Sequence, residues 1–123
     1  MASTQQVATS GKTQCQLIVE HVRKNGGITS WEAIQHYGIT RLAARIYDLN
    51  NTGASMKAEE IGDGYVRYVP DYKARSEYYR RKIDNLMFHG SPSTIAEKLP
   101  QMTERYCQNL RLAIGKPRQL TLV

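Results

Sequence analysis

Ile28-Thr29-Ser30-Trp31-Glu32-Ala33-Ile34-Gln35-His36-Tyr37-Gly38-Ile39-Thr40-Arg41-Leu42-Ala43-Ala44-Arg45-Ile46-Tyr47-Asp48-Leu49 is the stretch that decides the reading of this chain. Thr29, with Glu32 three residues on, has the form of a capping box and starts a helix. That helix carries Trp31, Ala33, Ile34 and Tyr37 and stops at Gly38, which suits a left-handed C-cap. Thr40 is placed to cap a second helix, about Arg41 to Asn51. Leu42, Ile46 and Leu49 recur there at i, i+4 and i+7, with Ala43 beside them, so this face must pack inward. Arg41, Ala44, Asp48 and Asn51 share the opposite face, with Arg45 on its flank.

Working outward, Thr13 and Gln16 form another capping box, and the spacing predicts a helix over about Gln14 to Lys24. Its apolar stripe is Cys15, Ile18, Val19 and Val22, and Asn25-Gly26-Gly27 stops it. Ile28 is placed to add a short strand. On the other side, Ala54 to Ile61 and Tyr65 to Val69 read as strands around Gly62-Asp63-Gly64, a strong hairpin signal. Three helices and a hairpin in this order spell a winged helix-turn-helix, which holds one helix clear of the core for a DNA groove. The wing is poorly suited to phosphate. Asp63 sits at its tip near Glu59 and Glu60, offset by Lys57 and Arg67.

Pro70 marks a boundary. Asp71 to about His89 reads as a helix with Tyr72, Tyr79, Ile83, Leu86 and Met87 on one stripe. Lys73, Arg75, Arg80, Arg81 and Lys82 supply a dense basic surface around Glu77. It suits phosphates and stacked bases, or an acidic protein surface; equally, the helix is amphipathic with tyrosines inward. Ser91-Pro92 opens another helix. Pro100 predicts a break or kink, followed by a last helix over about Gln101 to Ile114 with Met102, Tyr106, Leu110 and Ala113 or Ile114 inward. Arg118 to Val123 are a basic, then apolar, tail suited to an extended strand. The expected fold is mainly α with a small β-hairpin: a disordered tail over 1–11, a winged helix-turn-helix over 12–70 and a helical extension over 71–123.

The 123-residue chain has a formal net charge of +6. Residues 1–69 hold seven Lys/Arg against six Asp/Glu, and residues 70–123 hold ten against five. A basic balance favours an anionic partner such as nucleic acid, yet most of it lies outside the helix-turn-helix. No apolar run approaches a membrane span. Met1 to Gly11 is polar and lacks the apolar middle of a signal peptide, which points to a cytoplasmic protein. Cys15 and Cys107 are far apart, and two buried free thiols are favoured over a disulfide. Trp31 and Cys107 are expected in the core. His21, His36 and His89 fall on separate elements without metal-ligand spacing. The chain carries no nucleophile motif, phosphate loop or paired carboxylates, so the reading is a non-enzyme that needs no cofactor.

Residues 14–69 resemble the small winged helix-turn-helix domain common in bacteriophages and prophages. The likeness runs from Gln14-Cys15-Gln16 through Gly27 to Ala33-Ile34, and from Tyr37-Gly38 through the Arg45-Ile46-Tyr47-Asp48-Leu49 helix to Gly53. It implies a phage-encoded module that meets double-stranded DNA through Thr40, Arg41, Ala44 and Arg45, in the cytoplasm of a bacterial host. Members often carry Arg or Lys just after the last leucine, where this chain has Asn50, Asn51 and Thr52. Each missing cation removes a phosphate contact. The expected function is a small regulatory DNA-binding protein, a homodimer through its C-terminal helices. The alternative is a winged helix that docks on a host nucleic-acid enzyme.

Overall fold

Thr13 begins the first helix as expected. Its hydroxyl accepts from the Gln16 amide (3.1 Å) and Gln16 Oε1 accepts from the Thr13 amide (2.9 Å). These bonds satisfy two of the amides that a helix start leaves without intrahelical partners. The computed structural model describes residues 11–50 and 52–115. The expected tail, apart from Gly11, the C-terminal extended segment and Asn51 lie outside them. The chain divides into two units, Met1–Pro70 and Asp71–Val123. In order, the N-terminal unit holds α1 (Gln14–Asn25), β1 (Ile28–Thr29), α2 (Ser30–Tyr37), α3 (Leu42–Leu49), β2 (Met56–Gly62) and β3 (Tyr65–Pro70). The C-terminal unit holds α4 (Tyr72–His89) and α5 (Pro92–Ile114). The fold is mainly α with a small antiparallel sheet.

Local chemistry explains most boundaries of the N-terminal unit. Gly26 and Gly38 end α1 and α2 at φ of 87° and 68°, a region open to glycine at little cost. Thr29 and Glu32 close the capping box of α2, with bonds of 3.1 and 3.0 Å. The three strands order as β1-β3-β2, with Ile28 opposite Tyr68 and Glu59 opposite Arg67. Asp63 and Gly64 both have positive φ, as a tight two-residue hairpin of primed type requires. Ile61 is an extra residue between the Glu60–Val66 and Gly62–Tyr65 pairs, a bulge near the wing tip.

The core of this unit gathers Ile18 and Val22 from α1, Ile28 from β1, Ala33 from α2 and Ile39 from the turn. Leu42, Ile46 and Leu49 from α3 and Met56 from β2 complete it. The inward stripe read for α3 is therefore correct, except that Ala43 is exposed. Trp31 is also a correction: it is 67% exposed rather than core. The inward side of α2 is used by Ala33 and, one turn later, half-buried Tyr37, which leaves Trp31 and Ile34 facing out. Leu17 and His21 join the buried side of α1, beyond the stripe read from sequence.

The C-terminal unit is an antiparallel pair of helices turned at Gly90-Ser91. A Cβ at Gly90 would sit 2.6 Å from the Leu86 carbonyl oxygen, so only glycine fits this turn without a shift. Asp71 and Ser91 cap the two helices, accepting from the amides of Ala74 (3.1 Å) and Thr94 (3.3 Å). Of the break or kink expected at Pro100, the break does not occur. α5 runs unbroken through it, and the Thr103 hydroxyl donates to the Leu99 and Pro100 carbonyls just beyond. Packing against α4 along its length offsets the roughly 3 kcal/mol that an internal proline costs. Four expected core positions are exposed: Met87 (52%), Ile114 (73%), Ala113 and Cys107. A single neighbouring helix covers only one side, and these residues lie outside its shadow.

Candidate nucleic-acid interface

α3 presents its outward face because Leu42, Ile46 and Leu49 anchor the other one. The expected Thr40 cap is not made. Arg41 holds the N-cap position at φ −120° and ψ 59°, with no side-chain cap bond, and Thr40 lies one residue outside. A helix start without a side-chain cap keeps its first amides open to an anion or water. Thr40 and Arg41 are exposed beside it, and Ala44 is half-buried. Asp48 is exposed. Arg45 is half-buried, with its Nη2 3.3 Å from Asp48 Oδ2 and its Nε buried without a hydrogen-bond partner. Asp48 is thus paired with an arginine in the chain alone.

Tyr47 belongs to this face and was missed. It is 71% exposed, three residues beyond Ala44 and seven beyond Thr40, so the same helical spacing brings it into line. The i, i+3 and i+7 spacing from Thr40 and Ala44 was the signal that could have found it.

The loop after α3 shows what replaced the expected cations. Asn50 Oδ1 accepts from the Met56 amide (3.1 Å), and its carbonyl accepts from the Ser55 hydroxyl (3.2 Å). The Thr52 hydroxyl donates to the Leu49 carbonyl (2.7 Å) and accepts from the Ala54 amide (3.1 Å). These side chains stop the helix and launch β2. A Lys or Arg at either position cannot make the bonds that accept a backbone amide.

On the wing, Lys57 is exposed, as are Glu59, Glu60 and Asp63. Arg67 is committed elsewhere. Its Nη2 donates to the Asn25 carbonyl (2.8 Å) at the end of α1, where a cation also meets the negative end of the helix dipole. A Cβ at Gly27 would lie 2.8 Å from the Arg67 guanidinium carbon, so Gly27 clears its path. Arg67 is a staple between β3 and α1 before it is a contact for anything else.

Residues 13–65 match the winged helix-turn-helix domain family. No curated protein and no solved structure matches the chain. Winged helix-turn-helix domains commonly bind nucleic acid through the helix after the turn, and the matched region here has α3 in that place. It also carries two features that groove reading does not use. Trp31, Ile34, Ile61 and Tyr65 are all at least 43% exposed and, with Thr29 and Val66, line a groove of about 560 Å³ between α2 and the wing. His21 is buried, with Nδ1 2.8 Å from the Tyr37 hydroxyl and Nε2 3.5 Å from Glu32 Oε1, and its ring is 5.7 Å from that of His36. The separate elements of the sequence thus converge here into a small polar cluster. Burial, then the charges of Glu20 and Glu32, hold the Tyr37 phenol above its ordinary pKa.

The basic helix α4 is less uniform than its sequence. Lys73, Arg80, Arg81 and Lys82 are exposed. Lys82 lies over the Tyr78 ring at 5.7 Å. Arg75 departs from the expected surface. It is half-buried on the inward side with Tyr72 and Tyr79, its guanidinium 5.6 Å from the Tyr72 ring centre, and loss of hydration lowers its pKa. Glu77 and Asp84 share the side of Lys73 and Arg80, so positive charge there is interrupted. Among the described residues, no helix is long and apolar enough to cross a membrane.

Proposed function

We propose that the winged domain binds double-stranded DNA with α3 in the major groove, as a small phage- or prophage-encoded regulator in the bacterial cytoplasm. The observation that carries this reading is the outward face of α3 within a matched winged domain. Thr40, Arg41, Ala44 and Arg45 stand there beside a helix start with no side-chain cap. Small Ala44 lets the helix approach closely, and the two arginines suit guanine edges or phosphates. Asp48 completes the reading face, Tyr47 offers a ring to sugars or bases, and Asn51, outside the described residues, belongs to the proposed set by its sequence spacing alone. Lys57 and the exposed Lys73, Arg80, Arg81 and Lys82 supply phosphate contacts. Arg67 and Arg75 contribute less, because one is bound to Asn25 and the other is drawn inward. A dimer through the C-terminal helices doubles a readout that one short helix leaves modest. On a duplex selected from a random pool, Arg45→Ala should weaken binding and relax base preference, at a cost of about 1–3 kcal/mol. Unchanged affinity and selectivity would refute the assignment.

A second reading is favoured by the exposed Trp31–Ile34–Ile61–Tyr65 groove beside an acidic wing. Exposed aromatic clusters of this kind suit protein docking, and the partner would be a host protein such as a nucleic-acid enzyme. Capture of a host protein that persists after nuclease treatment and is lost in Trp31→Ser supports this reading over the first.

A further inference from the structure

We infer that two copies of the chain pair through α5, running antiparallel, with Ala96 of one copy against Ile114 of the other. The starting point is the width of the apolar surface on α5. Ile95, Leu99, Met102 and Tyr106 are half-buried on the side turned to α4. Beside them runs a second stripe at alternating four- and three-residue steps: Ala96, Pro100, Thr103, Cys107, Leu110 and Ile114. Together the two stripes occupy about half of the helix circumference. α4 covers the first stripe and leaves Thr103 and Leu110 of the second half-buried. Ala96, Pro100, Cys107 and Ile114 are all exposed, Ile114 at 73%. The seam they form is about 27 Å long.

Size and charge along this seam select the occupant. The N-terminal end is small, at Ala96, and the C-terminal end is large, at Leu110 and Ile114. An antiparallel second copy centred between Thr103 and Cys107 sets small against large at both ends, as close packing requires. A parallel copy sets Ala96 against Ala96 and leaves a void. Charge points the same way. Glu97, Glu104 and Arg111 flank the seam on one edge and are exposed. In antiparallel helices the same edges meet, so Glu97 of each copy reaches Arg111 of the other, and these two ion pairs outnumber the single facing of Glu104 with Glu104 at the centre. In a parallel pair opposite edges meet, and neither ion pair forms. The dimer of the preceding reading thereby acquires a surface. Its test measures mass without DNA, so either statement can fail alone.

The test is sedimentation of the full chain without nucleic acid at micromolar concentration. A mass of two chains is expected. Glu97→Arg and Arg111→Glu should each weaken dimerisation about tenfold, and the double variant should recover most of the loss. Both side chains are exposed, so neither change disturbs the fold. In a background with Cys15→Ser and Cys107→Ser, mixed Ala96→Cys and Ile114→Cys chains should form an interchain disulfide, whereas Ala96→Cys alone should not. A monomer at all concentrations, a disulfide in Ala96→Cys alone, or no recovery in the double variant would overturn the proposal.

Discussion

The two units of this chain are built from the same helical periodicity and differ in what it yields. Among the described residues, every buried apolar side chain belongs to the N-terminal unit, from Leu17 to Met56. In the C-terminal unit the one buried residue is Ser76, whose hydroxyl donates to the Lys73 carbonyl (2.8 Å). Three helices and a three-stranded sheet enclose a core, whereas two helices share only the seam between them. Stability in the first unit therefore resides in packing that tolerates little change. The second has an apolar surface left to give to a partner.

Replacing one core residue in each unit tests this contrast most severely. Ile18 has no exposed surface, and Ile18→Ala should cost about 3–4 kcal/mol by denaturant titration. Leu99→Ala, at a half-buried position of α5, should cost about 1 kcal/mol. Equal losses would mean that the hairpin is as tightly enclosed as the winged domain. Arg67→Ala sharpens the contrast at one remove. It should destabilise the winged domain by about 1–2 kcal/mol through loss of the bond to Asn25. Binding to DNA by the folded fraction should change little, and a large loss of affinity without loss of stability would make Arg67 an interface residue instead. The smallest effect concerns Tyr37. With its pKa raised by burial, the folded chain keeps the phenol proton after the unfolded chain begins to lose it near pH 10. Stability should fall as pH rises above that point, and Tyr37→Phe should remove this part of the alkaline loss in pH-dependent unfolding.

Much of the fold was legible because its signals are local. Both threonine capping boxes, the glycine stops and the Gly62-Asp63-Gly64 turn act within a few residues, and each fell where expected. Ile18, Val22, Leu42, Ile46 and Leu49 were legible as core because a closed three-helix arrangement satisfies every stripe. Trp31, Met87, Cys107, Ala113 and Ile114 were misread because periodicity tells which residues share a face but not how far a neighbour covers it. α5 was read as two helices because the local cost of Pro100 was weighed without the packing along the rest of the helix. Of the candidate site, spacing placed Ala44 and Arg45 on α3, and the structure has Arg41 at its N-cap and Thr40 one residue before it. The bond from Arg67 to Asn25 and the inward turn of Arg75 were not legible, since each depends on a group that sequence spacing does not bring near.

Binding of the full chain and of the Arg41→Ala/Arg45→Ala variant to a random-sequence DNA duplex, across a salt series, tests the central reading most directly. Affinity should rise steeply as salt falls, and the variant should lose about two from the slope of log affinity against log salt if both arginines meet phosphates. Negligible binding at low salt, or a slope and affinity unchanged by removing both arginines, would contradict a DNA-reading α3.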